Sequence, residues 1–401
     1  MAGTILLCAG GTGGHLFPAE ALALVLEARG WQIELATDHR AVGYGGNFPA
    51  EATHIVPSAT FSGRGIPARI GAVLKLASGF FSAFGMVGRV KPAAVVGFGG
   101  YPTVPPVLAA RYRGVPTIIH DQNAVLGRAN RFLAPRVTKI AVGSPALKLP
   151  ARLEAKAVPT GNPVRVAVRD AARRPYPALA ANGPLDLLVF GGSQGARFLS
   201  EIVPAAIGQL PPELRGRLRL VQQCRPEDLG AVEATYRRLN VTAELAPFFR
   251  NLPDHIARSH LVISRSGAST VAELAVIGRP AILIPLPGAI DQDQMANART
   301  LADIGGAWLV DERGLTPEAL AAELSGLMSA PERLQAAAAA AAGKGQADGA
   351  EKLADLVEAV ARKEPAVPAT TRRRPVQRRN PPPRGGALRL VAQSVDQEKR
   401  P

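Results

Sequence analysis

The chain has 401 residues, 47% hydrophobic and only 5% aromatic, with 41 Gly and 35 Pro, which suits two or three α/β domains with many tight turns. Its formal charge of +15 points to an anionic membrane surface or nucleic acid, but ten Lys or Arg against three Asp or Glu in residues 363–401 supply +7 of it. The two cysteines, Cys8 and Cys224, belong to no CxxC pair or Cys/His cluster, which excludes a zinc-ligand spacing and suits a reducing compartment.

Thr4 to Ala9 is a short apolar run without a basic leader, so it is expected as a core strand rather than a signal peptide. Gly10-Gly11-Thr12-Gly13-Gly14-His15 follows as a Gly-rich turn, and Pro18 to Arg29 is expected as a helix. Strand, Gly-rich turn and helix together form a phosphate cradle. Trp31 to Ala36 is the next strand, followed by Asp38, a layout that invites a dinucleotide reading. The dinucleotide fingerprint, however, needs a small residue where Leu16 stands.

Ile66 to Val90 carries Phe80, Phe81 and Phe84 among aliphatic residues, edged by Arg64, Arg69, Lys75, Arg89 and Lys91. Its length is on the scale of the roughly 20 residues that cross a bilayer, but Lys75 and four internal Gly argue against a span. Two readings stay open: a surface helix that dips an apolar face into lipid, and a buried core helix. Ala93 to Val96, Thr117 to His120 and Val137 to Val142 read as further strands. The first two end in Gly97-Phe98-Gly99-Gly100-Tyr101-Pro102 and His120-Asp121-Gln122-Asn123. Polar groups past the C-terminal end of a strand stand where open α/β sheets bind ligands. Thr160 to Arg165 reads as a linker.

Leu185 to Phe190 and Gly191-Gly192-Ser193-Gln194-Gly195 restart the pattern about 180 residues after the first copy. Two domains with Rossmann-like sheets, joined near residue 163, are therefore expected. Leu218 to Gln222 and Val241 to Ala246 add strands. Next comes the stretch around which the second domain is organised: strand Leu261 to Ile263, turn Ser264 to Ala268, a helix ended by Gly278, and strand Ala281 to Pro285. Ser269 or Thr270 is expected to cap that helix. The helix start suits an anion such as phosphate, while Glu273, which would repel phosphate, suits sugar hydroxyls. Asp291-x-Asp293 could be a metal-binding pair, but it sits beside a predicted helix start, and such tripeptides are common by chance. Helices are expected over Glu318 to Leu327, Gln335 to Ala342 and Ala350 to Arg362, and a disordered basic tail from Lys363 onward. No Gly-x-Ser-x-Gly elbow is present. His15 can take a proton from an attacking hydroxyl, or it can cap and pack locally.

Taken together and in order, GGTGGHLFPA (10–19), GFGGYP (97–102), HDQN (120–123), TGNPVR (160–165), GGSQGAR (191–197), SRSGASTVAEL (264–274) and DQDQMANA (291–298) closely resemble the MurG family of bacterial transferases. That family moves N-acetylglucosamine from UDP-N-acetylglucosamine (UDP-GlcNAc) onto undecaprenyl-diphospho-N-acetylmuramoyl-pentapeptide. The resemblance covers about residues 3 to 362. It implies a GT-B fold, with two Rossmann-like parallel-sheet domains facing across a cleft, and an inverting β-(1→4) transfer at the inner face of the cytoplasmic membrane. It divides the chain into an acceptor and membrane domain (1–163), a UDP-GlcNAc domain (164–342) and a helix packing back on the first domain (343–362), and the tail (363–401) lies outside the family pattern. The donor contacts it implies are Thr12, Gly13, Gly14, Asn123, Arg165, Ser193, Phe249, Ala268, Ser269, Thr270, Val271, Ala272, Glu273 and Gln294. His15 is the expected base and Asp121 its helper. Asp121 and Asp293 depart from the family's common Glu and Gln, and Asp293 can accept but not donate. No metal or other cofactor and no nucleic acid are expected. The rival readings are a UDP-GlcNAc 2-epimerase of similar architecture and a basic adaptor for membrane or RNA.

Overall fold

A computed structural model of the chain describes residues 3–39, 48–57, 66–180, 182–192 and 195–362, leaving aside the side chains of 66–76 and 290. The expected tail from Lys363 onward lies outside these residues, as do Ser193 and Gln194. In chain order the first half holds β1 (Thr4–Cys8), α1 (Gly13–Ala28), β2 (Gln32–Thr37), β3 (Ala52–Ile55), α2 (Ile66–Val90) and β4 (Ala94–Gly97). It continues with α3 (Val104–Tyr112), β5 (Thr117–Asp121), α4 (Arg128–Leu133), β6 (Lys139–Val142), α5 (Ala151–Glu154) and β7 (Ala157–Pro159). Its strands pair in parallel in the order β3-β2-β1-β4-β5-β6-β7. Central strands such as β4 and β5 are buried along their whole length, as parallel strands covered on both faces must be.

The second half begins with α6 (Val166–Ala171), β8 (Leu185–Phe190), α7 (Arg197–Gln209), α8 (Pro212–Arg215), β9 (Leu218–Gln223), α9 (Leu229–Arg238) and β10 (Ala243–Ala246). It goes on through α10 (Leu252–Arg258), β11 (Leu261–Ser264), α11 (Ala268–Ile277), β12 (Ala281–Leu283), α12 (Asp293–Ala302) and β13 (Ala307–Leu309), and ends in α13 (Pro317–Met328), α14 (Pro331–Lys344) and α15 (Gly349–Ala361). These strands form a second parallel sheet, β10-β9-β8-β11-β12-β13. Each sheet reverses its strand order once, between β1 and β4 and between β8 and β11. Such reversals open a crevice at the carboxyl ends of the strands. Both Gly-rich turns leave from these points, after β1 and after β8.

The chain crosses from the first sheet to the second at residues 160–165 and returns at 345–349. Leu353, Leu356, Val357 and Val360 of α15 join the core of the first sheet with Ile5, Leu7, Leu22 and Leu26. Arg29 pairs with Asp355 at 2.8 Å and with Glu358 at 2.9 Å, and the Trp31 indole donates to Glu358 at 2.8 Å. The two crossings touch: a Cβ on Gly349 would lie 2.6 Å from the Asn162 carbonyl oxygen, so only glycine fits there.

Several expected boundaries shift. α1 starts at Gly13 rather than Pro18, because Pro18 forgoes only the single bond its missing N–H would have given Gly14. α2 is core on one side and exposed on another. Ala83, Met86 and Val87 are core, while Phe81 is 71% exposed. Among the described residues no helix is long and apolar enough to cross a membrane.

Candidate active site

Between the two sheets lies a cleft of about 720 Å³. The first domain supplies Thr12, Gly13, Gly14, His15, Phe17, Gln122 and Asn123, and Arg165 enters from the crossing. The second supplies Gly191, Gly192, Gly195, Phe249, Arg265, Ala268, Ser269, Thr270, Glu273 and Gln294. Twelve of the residues singled out in the sequence thus share one hollow. Val271 and Ala272 line instead a separate hollow of about 70 Å³ with Asn297 and Gln346.

His15 stands in the first turn of α1, where its main-chain N–H donates to Thr12 O at 3.0 Å. The Thr12 hydroxyl lies 3.0 Å from His15 Nδ1. With Nδ1–H donating to that hydroxyl, Nε2 carries the lone pair that a general base requires. The ring packs against the backbone of Gly99 and Gly100, which brings the loop after β4 to the same place.

Asp121 does not line the cleft. It is 1% exposed at the end of β5 and accepts from Asn123 N (3.0 Å), Gly127 N (2.9 Å) and Asn130 Nδ2 (3.0 Å). Burial pushes its carboxyl pKa up, and those donors hold the rise back. The geometry therefore gives Asp121 the job of shaping the loop that presents Asn123, in place of the expected role beside His15. Gln122 is likewise tied down, donating to Phe98 O at 3.0 Å.

On the opposite wall, Gly267 occupies the cap position of α11, and no side chain bonds the first turn. Ser269 and Thr270, expected as caps, sit inside that turn. The N–H groups of Ala268, Ser269 and Thr270 have no helical acceptor, so an anion in the cleft meets bare donors and the positive dipole end. In the facing turn after β8, Gly191 N donates to Gln223 Oε1 at 3.2 Å. Arg265 is buried, donates to Ile284 O (3.1 Å) and Pro285 O (3.3 Å), and pairs with Glu312.

Glu273, in the second turn of α11, is 5% exposed and accepts from Arg165 Nη2 at 3.0 Å. Burial pushes its pKa above the ordinary 4.5, and the Arg165 charge opposes that rise. Gln294 Oε1 accepts from Leu286 N at 3.0 Å, which leaves its amide hydrogens to donate. The Asp291-x-Asp293 pair is divided. Asp291 faces Arg128 at 3.5 Å and Arg131 at 3.4 Å, while Asp293 Oδ1 accepts from Gln294 N at 2.8 Å. Burial, and then the charge of Asp291, push the Asp293 pKa up. No cluster of three or more metal-ligating side chains occurs among the described residues.

Asn297 was not anticipated. Buried on α12, it accepts from Ala124 N at 2.8 Å and donates to Asn123 Oδ1 (3.0 Å) and Ser266 O (3.3 Å), joining the two walls. Its only sequence signal is an amide flanked by the alanines of DQDQMANA.

The family models that match are the glycosyltransferase family 28 N-terminal domain over residues 5–142 and its C-terminal domain over 186–353. The UDP-N-acetylglucosamine–N-acetylmuramyl-(pentapeptide) pyrophosphoryl-undecaprenol N-acetylglucosamine transferase of Rhodopseudomonas palustris is 58% identical over 359 residues, 89% of this chain and 98% of that one. The crystal structure of Acinetobacter baumannii MurG superposes with a TM-score of 0.71 at 31% identity, covering 89% and 99% of the two chains. A putative UDP-N-acetylglucosamine 2-epimerase from Listeria monocytogenes gives a TM-score of 0.62 at 13% identity over 91% and 98%, a likeness of fold alone. Two parallel-sheet domains around one cleft, both halves of the family 28 pattern and an identity this high over nearly the full length agree: the chain is a GT-B glycosyltransferase and belongs to the MurG family.

Proposed function

We propose that this chain transfers N-acetylglucosamine from UDP-GlcNAc to the C4 hydroxyl of undecaprenyl-diphospho-N-acetylmuramoyl-pentapeptide, inverting the anomeric carbon, in peptidoglycan synthesis. The observation that carries the proposal is the convergence of His15, Glu273 and the uncapped start of α11 on one cleft. Uracil lies by the Phe249 backbone, and the ribose hydroxyls donate to Glu273. The diphosphate rests on the N–H groups of Ala268 to Thr270, with Ser193 and Arg165 as its further ligands. Thr12, Gly13, Gly14, Asn123 and Gln294 enclose the transferred sugar.

In the step itself, the acceptor oxygen bonds to the anomeric carbon, the bond from that carbon to the diphosphate oxygen breaks, and the hydroxyl proton passes to His15 Nε2. UDP leaves with its charge held by main-chain amides and the helix dipole, a device worth several kcal/mol where water is excluded. Asp121 supports the wall on which Asn123 stands.

Residues 1–163 take the acceptor and residues 164–342 the donor, with α15 tying the two together. On the acceptor domain, Phe81 and Tyr112 are 71% and 73% exposed, and Arg113 stacks over Phe84 at 3.9 Å. Aromatic rings rimmed by arginine suit an anionic bilayer surface and support the reading that the enzyme sits peripherally on the cytoplasmic face of the inner membrane. No nucleic acid and no cofactor enter this account.

The test supplies radiolabelled UDP-GlcNAc and the undecaprenyl-linked acceptor in the presence of EDTA. Labelled lipid supports the reading. Label that stays in a soluble 2-epimer of the nucleotide sugar overturns it in favour of an epimerase.

A further inference from the structure

Arg165 is a cation of the donor wall, and it is held from both domains. Its guanidinium carbon stands 4.2 Å from the centroid of the Phe17 ring, on α1. Its Nη2 reaches Glu273 on α11 at 3.0 Å, while its Nε is buried with no hydrogen-bond partner. One face of the cation thus rests on a ring and one edge on a carboxylate.

The ring's position follows from helix geometry. Side chains on a helix lean toward its N-terminus, over the residue four positions earlier. For Phe17 that residue is Gly13, the first of α1. A Cβ on Gly13 would stand 2.9 Å from Phe17 Cε2 and 3.2 Å from Cζ. The Gly-rich turn therefore has a second use besides close approach to a ligand: it leaves the floor on which this ring lies. Glu20, three residues on, is a further carboxylate whose charge Arg165 offsets. His15 begins the same helix, two residues before Phe17.

We propose that Phe17 is a positioning residue for the nucleotide-sugar site: seated on Gly13, its ring fixes the Arg165 guanidinium, which aims the buried Glu273 carboxylate at the donor's ribose. The inference rests on the donor-site reading above and extends it to a residue in the acceptor domain. A π face attracts a cation through its quadrupole, and the attraction strengthens when water is excluded. An aliphatic side chain fills the same space without it.

The test compares Phe17→Tyr, Phe17→Leu and Phe17→Ala in the full chain by steady-state transfer and by calorimetric titration with UDP-GlcNAc. Phe17→Tyr keeps the face, so both KM and Kd for the donor stay within about twofold of wild type. Phe17→Leu and Phe17→Ala raise both by roughly fivefold to twentyfold, with kcat changed much less. In a double-mutant cycle the Phe17→Leu effect shrinks sharply when Glu273 is already Gln, because the charge through which Arg165 acts on the ribose is gone. Unchanged donor KM and Kd in Phe17→Leu overturn the proposal, as does a loss confined to kcat, which would place Phe17 in the service of His15. If wild type itself transfers no sugar, the donor-site reading falls, a result distinct from either.

Discussion

Replacing Glu273 by Gln or by Ala tests the donor site at its most buried charge. Glu273 is 5% exposed, and Arg165 at 3.0 Å opposes the burial that raises its pKa. Ribose hydroxyls donating to an ionised carboxylate contribute about 1.5–3 kcal/mol, against about 0.5–1.5 kcal/mol for a neutral amide. The difference, about 1–1.5 kcal/mol, predicts a Kd for UDP-GlcNAc raised roughly fivefold to fifteenfold in Glu273→Gln. In Glu273→Ala both acceptors are lost and the rise is about tenfold to a hundredfold. Calorimetry at pH 7 gives both numbers, and a pH series adds the sign. The ionised form binds, so wild-type affinity weakens as pH falls through the raised pKa, beginning above the ordinary 4.5. Glu273→Gln loses that dependence. Stability runs the other way: a carboxyl whose folded pKa is raised favours the folded state below 4.5 and loses that contribution as pH climbs through the raised value. Unchanged affinity in both variants, or the same pH dependence in Glu273→Gln as in wild type, would refute the assignment.

Other expectations follow from separate parts of the molecule. Burial lowers the His120 pKa to about 4, with its Nε2 donating to Gly161 O at 3.1 Å at the domain crossing. Its neutral form is therefore worth full stability above pH 6.5, and stability is lost as pH falls toward 4, by roughly 3 kcal/mol. Urea unfolding at pH 7 and pH 5 should show that slope, and His120→Gln should flatten it. Asn297→Ala removes three hydrogen bonds that join the walls and leaves Ala124 N unpaired, so kcat/KM should drop by about tenfold to a hundredfold; near-wild-type transfer would deny the joint any part in assembling the site. Phe81→Ser combined with Tyr112→Ser should abolish flotation with vesicles of anionic phospholipid while leaving UDP-GlcNAc affinity intact; equal flotation of variant and wild type would remove these rings from the membrane account.

The parts of the fold visible in the sequence are those with a strong local cause. β1, β4, β8 and β11 are buried at nearly every position, so they stand out as apolar runs. The Gly-rich turns after β1 and β8 announce the two crevices by composition. β3, β7 and β13 passed unnoticed because they are three- or four-residue strands near or at sheet edges, none of them fully buried and two partly exposed. α3 was hidden by Pro105 and Pro106 near its start, where proline is tolerated. Position past a strand end accounts for the presence of His15, Asn123 and Glu273 in the cleft. Asn297 could not be read in this way, since its partners Asn123 and Ala124 lie more than 170 residues away. Asp121 was misjudged for a related reason. A carboxylate at a strand end looks like a ligand until three donors, two from its own loop and one from α4, are seen to occupy it.

Buried arginines show how the structure separates architecture from chemistry. Arg279 is 1% exposed, and burial lowers its pKa to about 10. Its guanidinium donates to the carbonyls of Ala257, Ile277, Gly278, Arg174 and Pro175, so its donors are spent inside the second domain. Such a cation ties loops together and has nothing left to offer a ligand. Arg165, partly buried, and Arg265, which also donates to the Ile284 and Pro285 carbonyls, differ in their partners and surroundings. Each is paired with a carboxylate, Glu273 or Glu312, and each opens onto the cleft. A buried ion pair is often no better for stability than apolar side chains of equal volume. Two such pairs facing one hollow are thus poorly explained by folding alone. They are well explained by a ligand that carries negative charge beside hydroxyl groups, because the arginines meet the first and the carboxylates the second. A nucleotide diphosphate sugar has both.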